Sequence, residues 1–302
     1  MASRIDTATG PSLKPITHVL SPTERHWVGD GFAVSTIFSP SRLDAELLSP
    51  FILLDYGPPR RFEPAPKPRG VGPHPHRGFE TVTFAYQGEV DHRDSHGGGG
   101  TIRAGDVQWM TAGSGVVHEE MQSDGFTRSG GMFEMVQLWV NLPARLKMTA
   151  PRYQALEDSS FPRLEFERGS GRLIAGTVHG MTGPGESHTP ITLFDLTLPE
   201  AGLASFEPPV GMTTLALILD GRAIAQDTTE VRAGELVVLD RDEPGALTLS
   251  ASEGARALVL SGAPLGEPVV AHGPFVMNTR AEISQAILDY QSGRMGELAP
   301  RA

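Results

Sequence analysis

The feature that most constrains the fold is a series of short apolar runs separated by turn-forming residues. The runs are rich in Val, Ile, Leu, Phe and Thr, and Gly, Pro, Asp or Asn bound them. In chain order they are FILLDYG, TVTFAYQG, FEMVQLWVNLP, RLIAGTVHG, ITLFDLTLP, TTLALILDG, ELVVLD and RALVLSG. Each run has the length of a strand, and a sustained helical period is nearly absent before residue 279. The spacing therefore predicts an all-β sandwich or barrel.

One segment towards the end of the sequence has a helical pattern instead. Thr279 and Glu282 have the spacing of a capping box. The apolar residues that follow recur at i, i+3, i+4 and i+7, and they are Ile283, Ala286, Ile287 and Tyr290. Gly293 stands where a helix commonly ends. The pattern predicts a short C-terminal helix of about three turns.

A weak internal similarity indicates two related β-domains. AGDVQWMTAGSG at 104–115 resembles AGELVVLDRDEP at 233–244, since each has Ala-Gly-acid, then an apolar strand, then a turn. The stretch NLPARLKMTAPRYQ at 141–154 is the predicted seam between the domains. A chain of 302 residues is long enough for two domains of about 150 residues each.

Charge and composition exclude several kinds of partner. The formal net charge is −11, and no run of Lys or Arg offsets it, which argues against direct nucleic-acid binding and against an anionic membrane surface. Cysteine is absent, so any metal must be held by histidine and carboxylate side chains. The first residues lack the apolar stretch of a signal peptide, and no apolar run reaches about 18 residues. We therefore expect a soluble, cytoplasmic protein.

Two pairs of ligand-type side chains have the same spacing. His74 and His76 lie in GPHPHRGFET, and His118 and Glu120 lie in GVVHEEMQ. Residues i and i+2 of a strand point to the same side, about 6.6 Å apart, and neighbouring strands lie about 4.8 Å apart. Four such groups on two strands could close on one divalent metal ion and leave positions open for water or substrate. From geometry alone, two unrelated surface pairs remain the alternative.

These residues and their surroundings resemble the pirin family of the cupin superfamily. The segments that carry the resemblance are HPHRGFETVTFAYQGEVDHRDSHG, AGDVQWMTAGSGVVHEEM, QLWVNLP and EPVVAHGPFVMNTRAEISQAIL. The resemblance runs from Pro15 to Gly296 and is densest over residues 72–142. It implies a bicupin, which is an all-β protein of two cupin-type β-barrels, here with a short C-terminal helix.

The resemblance also implies a division of the chain into four parts. Residues 1–15 are expected to be disordered or loosely ordered, and residues 16–148 to form an N-terminal metal-binding barrel. Residues 149–276 are expected to form a C-terminal barrel without metal, which agrees with the absence of histidine between His188 and His272. Residues 277–302 are expected to form a helix and tail that pack back on the N-terminal barrel.

The ligands follow from the resemblance residue by residue. The family's H-x-H pair, its later histidine and the glutamate two residues after it correspond to His74, His76, His118 and Glu120. The expected cofactor is one divalent transition metal, with Fe²⁺ first and Ni, Co, Mn, Cu or Zn as alternatives. The further residues expected at the substrate pocket are Glu80, His92, Phe79, Gln108 and Met132. For His92, an ordinary polar position at a strand end is the alternative.

The resemblance to pirins implies two functions, and both are compatible with this ligand set. The first is a dioxygenase of the quercetin 2,3-dioxygenase type, in which the partners are a small aromatic substrate and dioxygen, and Glu120 is both a ligand and the candidate catalytic base. The second is an iron-dependent regulator without enzymatic activity, whose acidic charge favours a protein partner over DNA. Both require the same four ligands, so the sequence does not separate them.

Overall fold

The computed structural model describes residues 12–299, which form 25 strands and two α-helices. The first twelve strands are β1 (Ile16–Leu20), β2 (His26–Val28), β3 (Phe32–Phe38), β4 (Phe51–Phe62), β5 (Gly70–His76), β6 (Phe79–Gln87), β7 (Val90–Asp94), β8 (Gly99–Ile102), β9 (Val107–Thr111), β10 (Val116–Gln122), β11 (Gly131–Asn141) and β12 (Arg152–Leu156). The others are β13 (Arg163–Phe166), β14 (Gly169–Ala175), β15 (Thr177–Val178), β16 (Met181–Thr182), β17 (Ile191–Leu198), β18 (Gly202–Phe206), β19 (Thr213–Ala225), β20 (Thr229–Arg232), β21 (Leu236–Leu239), β22 (Leu247–Ala251), β23 (Ala255–Gly262), β24 (Val270–His272) and β25 (Phe275–Met277). The helices are α1 (Asp124–Ser129) and α2 (Arg280–Gln291), with short 3-10 turns at Ala144–Leu146 and Asp158–Ser160.

The strands form two barrels. The first barrel consists of a sheet in the order β12-β9-β6-β11-β4-β3-β2 and a sheet in the order β5-β10-β7-β8. The second has the order β1-β21-β19-β23-β17-β14-β13, to which β18, β20 and β22 are joined. The predicted all-β architecture of two barrels and a short C-terminal helix is confirmed. No helix within residues 12–299 is long and apolar enough to cross a membrane.

The internal similarity in the sequence is also a similarity in structure. β9 and β21, which contain the two similar segments, occupy the same place in their sheets, next to β6 and β19 respectively. Gly105 and Gly234 precede these strands with φ of 98° and 88°. Glycine adopts this left-handed conformation without the steric cost that other residues incur. The shared Ala-Gly-acid pattern therefore marks the same turn in both barrels.

The two halves of the chain exchange one strand each. β1 precedes the first barrel in sequence but pairs with β21 of the second, and β12 lies beyond the predicted boundary at residue 148 but pairs with β9 of the first. This pairing corrects the predicted boundaries 16–148 and 149–276 at both strands. The unpaired backbone N–H and C=O groups at the edge of a sheet can bond to an extended segment from either half of the chain. The composition of that segment does not reveal which edge it joins.

The start of the described chain is bound to the second barrel. Residues 1–11 of the segment expected to be loosely ordered lie outside the described residues. Leu13 forms a bridge with Ala246, and the buried Lys14 donates hydrogen bonds to the carbonyls of Arg241 and Glu243. Residues 12–15 are thus ordered by backbone contacts that an inspection of local composition does not anticipate.

A continuous apolar core joins the barrels. Trp109 and Val82 of the first barrel lie in the same buried cluster as Leu215 and Leu258 of the second. The interface also contains an ion pair in which Arg256 lies 2.7 Å from the completely buried Glu134. Apolar burial of this extent holds two domains in one relative position.

The C-terminal helix α2 lies against the first barrel. Thr279 and Glu282 form the predicted capping box, and Ile283 packs in one apolar cluster with Val117 of β10. Asp289 also faces the barrel, where it forms a 2.8 Å ion pair with Arg77. Tyr290, expected on the apolar face, is 40% exposed, whereas the neighbouring Asp289 is buried.

Lys147 is a buried lysine that connects three separate segments, and burial lowers its pKa to about 7. Its Nζ donates hydrogen bonds to the carbonyl of Gly78 at 2.8 Å, to Oδ1 of Asn141 at 2.7 Å and to the carbonyl of Val276 at 2.9 Å. Three acceptors match the three N–H groups of an ammonium. The side chain therefore ties β25, which precedes α2, to the turn that follows β5.

We predict that Lys147→Met lowers the free energy of unfolding by about 3 kcal/mol, because it leaves three buried oxygen atoms without donors. Urea denaturation followed by circular dichroism measures the change. Lys67→Met is the matched control, since Lys67 is exposed, and should shift the value by no more than about 0.5 kcal/mol. Equal stabilities of the two variants would contradict the role assigned to Lys147.

Candidate metal centre

Strands β5 and β10 place the two pairs of candidate ligands side by side. The strands are antiparallel, and His118 lies opposite His74. A bulge after His118 shifts the register, so that Glu120 lies opposite Val71. β5 is the outermost strand of its sheet, a position in which Pro75 is tolerated. The H-x-H and H-x-E spacings thus act as expected, with both pairs turned towards the interior of the barrel.

Three imidazole rings converge at this point. The ring centroid of His118 lies 4.2 Å from that of His74 and 4.8 Å from that of His76. Ligand atoms of these three residues lie within 4.8 Å of one another, and His92, His118 and Glu120 form a second group within the same limit. The two groups share His118, which therefore stands at the centre of the candidate site.

Hydrogen bonds to the Nδ1 atoms leave the Nε2 atoms available. Nδ1 of His74 lies 2.9 Å from the carbonyl oxygen of Gly72, and Nδ1 of His76 lies 3.3 Å from that of Pro274. A carbonyl only accepts, so each Nδ1 carries the hydrogen and each Nε2 has a free lone pair. Nε2 of His118 is buried without a hydrogen-bond partner. An ion bound by three Nε2 atoms would satisfy that buried atom.

Burial keeps these histidines neutral. Desolvation lowers the pKa of His76 and of His118 well below the ordinary value, and the neighbouring histidines lower both further. The neutral imidazole is the form that binds a metal ion. The donor set of three imidazoles and a carboxylate therefore fits a divalent first-row transition metal.

Glu120 is held by one of its two carboxylate oxygen atoms. Gln108 donates a hydrogen bond to Oε1, and the hydroxyl of Thr83 lies 3.2 Å from the same atom. Tyr153 in turn donates to Oε1 of Gln108 at 3.3 Å. Oε2 of Glu120 remains available for an ion or for a proton. The neighbouring Glu119 points the other way, as expected from strand alternation, and forms an ion pair with Arg93.

Three of the five predicted pocket residues lie at this site. The ring of Phe79 is 5.0 Å from the ring of His76, and Gln108 contacts Glu120. Nδ1 of the buried His92 lies 3.3 Å from Nδ1 of His118. Each of these three contacts a candidate ligand, but none of them is among the residues that line the cavity beside the histidines, so their place in a substrate pocket stays a prediction.

Glu80 does not lie in the pocket, which corrects the prediction. It is completely buried on the other side of β6, where it accepts a 2.6 Å hydrogen bond from Thr111, and burial raises its pKa to about 7. Glu80 lies four residues after His76, so in one unbroken strand the two side chains would point to the same side. The chain turns at Gly78, with φ of 89°, so the alternation restarts in β6.

Met132 is also misplaced by the prediction. It is 39% exposed near the beginning of β11, whereas Met135 of the same strand is buried and lines the cavity. A register shift between Phe133 and Met135 changes which side chains point inwards. The sequence does not reveal this bulge.

The candidate ligands face a small and mostly apolar cavity. Its volume is 180 Å³, and its walls include Phe32, Val34, Met135 and Trp139 together with His74, His76 and Glu120. A wider surface cleft of 1030 Å³ lies next to it. Asp55 and Trp139 line both spaces, so they form the border between the metal site and the cleft.

Several site residues were missed by sequence reasoning, and three of them had a detectable signal. Asp55 is an acid in the middle of the apolar run FILLDYG, and such a residue in a buried strand commonly has a specific role. Gln137 and Trp139 share the i, i+2 spacing in QLWV and both line the cavity. Tyr153 and Pro274 are distant in sequence, and nothing local connects them to the site.

Comparisons with known proteins agree with this architecture. A family model described as Pirin matches residues 33–140, and one described as Pirin C-terminal cupin domain matches residues 193–296. A Pseudomonas aeruginosa protein named "putative quercetin 2,3-dioxygenase" is 48% identical over 284 residues, which is 93% of this chain and 98% of the relative. A pirin-like protein of Caulobacter vibrioides is 39% identical, over 93% of this chain and 99% of the relative.

Solved structures give the same result. A crystal structure of quercetin 2,3-dioxygenase from Acinetobacter baumannii is 46% identical, with a TM-score of 0.91 that covers 95% of this chain and all of the other. A bacterial pirin from Escherichia coli in complex with nickel(II) is 18% identical, with a TM-score of 0.61 over 82% of this chain and 99% of the other. At that identity the second likeness supports the fold alone.

We predict that His118→Ala weakens Ni²⁺ binding by at least about 100-fold, because loss of a ligand exceeds the 10–100-fold typical of an outer partner. Isothermal titration calorimetry on the metal-free protein measures the affinity. His18→Ala removes an exposed histidine of β1 and should bind Ni²⁺ like the unmodified protein. Unchanged affinity in His118→Ala would show that the ion is held elsewhere.

Proposed function

This chain belongs to the pirin family, and we propose that it is a metal-dependent dioxygenase of the quercetin 2,3-dioxygenase type. The observation that carries the proposal is the convergence of three imidazoles and a carboxylate on an apolar cavity. An open ligand position beside apolar walls is typical of catalytic rather than structural metal sites. The names of the Pseudomonas and Acinetobacter relatives point to the same reaction.

We propose that His74, His76, His118 and Glu120 hold one divalent metal ion, with Fe²⁺ as the expected ion. When bound, the ion would act as a Lewis acid that lowers the pKa of a coordinated substrate hydroxyl. Nitrogen donors with one carboxylate suit several first-row ions. The buried Nε2 of His118, which has no protein partner, supports a ligand at this position.

Glu120 is the candidate base for the substrate hydroxyl. Its Oε1 is occupied by Gln108 and Thr83, so Oε2 is the atom that would take the proton. Gln108 is itself fixed by Tyr153, so the carboxylate keeps its direction when its charge changes. Fixed hydrogen bonds of this kind position a general base without consuming its reactive atom.

The cavity dimensions indicate how a flavonol would be bound. Pockets for ligands of this size usually exceed about 300 Å³, whereas the cavity beside the histidines measures 180 Å³. A flavonol would therefore place its reactive ring in the cavity and extend past Asp55 and Trp139 into the cleft of 1030 Å³. The apolar walls would exclude water from the reacting ring.

We predict that the Fe²⁺-loaded protein consumes dioxygen and releases carbon monoxide in equimolar amounts as a flavonol is cleaved. Glu120→Gln should reduce this turnover by about 100-fold or more, since general-base catalysis contributes about 10²–10⁴-fold. An oxygen electrode and the flavonol absorbance give the rate, and metal analysis confirms the loading of each sample. His18→Ala serves as the control for handling. Absence of turnover in a fully loaded protein would contradict the proposal and favour the regulatory role.

A second prediction concerns Asp55 at the border. Burial raises the pKa of Asp55, and Thr36 donates a 2.6 Å hydrogen bond to its Oδ1. We expect its carboxylate to accept a hydrogen bond from a hydroxyl on the remote part of the flavonol. Asp55→Asn should raise KM for a polyhydroxylated flavonol by about 10-fold, the equivalent of one charged hydrogen bond.

The control for Asp55→Asn is a second substrate. A flavonol whose only hydroxyl is the reacting one cannot bond to Asp55, so its KM should be the same in both proteins. A parallel rise in KM for both flavonols would indicate a general disturbance of the cavity. An unchanged KM for both would place the remote part of the substrate elsewhere.

A further inference from the structure

A buried carboxylate and a buried histidine stand in line behind His118. His92 is 2% exposed and Asp94 is 9% exposed, both on β7, which pairs with β10. Nδ1 of His92 lies 3.3 Å from Nδ1 of His118, and Nε2 of His92 lies 3.4 Å from Oδ2 of Asp94. The three side chains form one chain of hydrogen bonds that ends at the unpartnered Nε2 of His118.

The direction of these hydrogen bonds follows from the acceptor at their far end. An ionised carboxylate has no hydrogen to donate, so Nε2 of His92 carries the hydrogen that faces Asp94. With its hydrogen on Nε2, the His92 ring has its lone pair on Nδ1, and this atom accepts from Nδ1–H of His118. That leaves the lone pair of His118 on Nε2, which is the atom buried without a hydrogen-bond partner.

We propose that Asp94 and His92 are positioning residues that fix the tautomer of His118 and thereby present its Nε2 to the metal ion. The inference rests on the proposed metal site and adds to it two residues that bind no metal themselves. Carboxylate–histidine pairs behind a metal ligand commonly serve this purpose. Here the pair acts on the ligand through a second histidine.

Two features fix the chain of hydrogen bonds from Asp94 through His92 to His118. The backbone N–H groups of His96 and Gly98 donate to Oδ1 of Asp94 at 2.8 and 2.9 Å, so Oδ2 is the oxygen directed at His92. The ring of Tyr153 stacks on the ring of His92, with centroids 4.7 Å apart and planes 16° from parallel. Tyr153 belongs to the exchanged strand β12, so the strand exchange supplies the ring that stacks on His92.

These contacts make Asp94→Asn a test of hydrogen-bond direction rather than of shape. The two backbone N–H groups require an oxygen atom at the position of Oδ1, so the amide nitrogen of the asparagine must face His92. An N–H at that position forces His92 to accept on Nε2 and to donate from Nδ1. His118 must then accept on Nδ1 and carry its hydrogen on Nε2, which blocks the metal position.

The first measurement is made without metal. Histidine-selective ¹⁵N labelling and long-range ¹H–¹⁵N correlation spectra report which ring nitrogen carries the hydrogen. We expect His118 protonated on Nδ1 and His92 on Nε2 in the unmodified protein, and both reversed in Asp94→Asn. Protonation of His118 on Nε2 in the unmodified protein would overturn the proposal. This readout does not depend on turnover, so its failure is distinct from failure of the proposed reaction.

The second measurement is Ni²⁺ affinity by calorimetry. Asp94→Asn should weaken binding by about 10–100-fold, the effect typical of an outer partner. Asp91→Asn is the matched control, because Asp91 lies on the same strand but accepts a hydrogen bond from Thr101 on the other side, and its affinity should not change. Equal Ni²⁺ affinity of Asp94→Asn and the unmodified protein would refute the role of Asp94.

A third variant covers the case in which Asp94→Asn fails to fold. His92→Phe retains the stacking on Tyr153 but removes the acceptor for His118, so the tautomer of His118 is no longer imposed. We expect Ni²⁺ binding about 10-fold weaker.

Diamagnetic Zn²⁺ gives the decisive spectrum of the unmodified protein, because a metal-induced shift of a His92 nitrogen would make His92 a ligand and overturn the proposal.

Discussion

The antiparallel pairing of β5 with β10 is the constraint on which the site depends. Backbone hydrogen bonds between these strands set His118 opposite His74, and strand alternation turns His76 and Glu120 to the same side. The bulge after His118 adjusts the position of Glu120 relative to its neighbours. Because β7 pairs with the other edge of β10, the residues behind the ligands are fixed by the same ladder. The candidate ligands and the residues behind them therefore lie on one sheet, and a metal site of precise geometry requires such a rigid support.

Distant parts of the chain complete this element. The carbonyl of Pro274 holds the ring of His76, and Lys147 ties β25 to the turn after β5. Tyr153 arrives on the exchanged strand β12 and contacts both Gln108 and His92. The C-terminal segment therefore supplies hydrogen-bond acceptors to the candidate metal centre and to the lysine beside it.

The sequence was informative where a local rule decides the structure. Strand-length runs, the capping box at Thr279 and the i, i+2 spacing of the ligands each depend on neighbouring residues, and each led to the observed element. The prediction for Glu80 was wrong because a turn at Gly78 interrupts the strand alternation between His76 and Glu80. The exchange of β1 and β12 is a non-local pairing, and the contacts of Tyr153 follow from it. For Asp55, the acid within an apolar run indicates a special position, but the sequence does not show which groups or cavity the side chain faces.

The second barrel has apolar side chains at the strand positions where the first barrel has its candidate ligands. Its strands β18 and β22 pair as β5 and β10 do, next to β20 and the end of β19. The side chains of β18 and β22 that lie in the buried cluster of this barrel are apolar, and they are Ala204, Phe206, Leu247 and Leu249. The first barrel has imidazoles and a carboxylate there, and burying such groups without an ion to bind them is unfavourable. The apolar core shared between the barrels provides stability from outside the site. The apolar interior of the second barrel and the core shared by the two barrels therefore offset part of the cost of a polar, partly unsatisfied cavity in the first barrel.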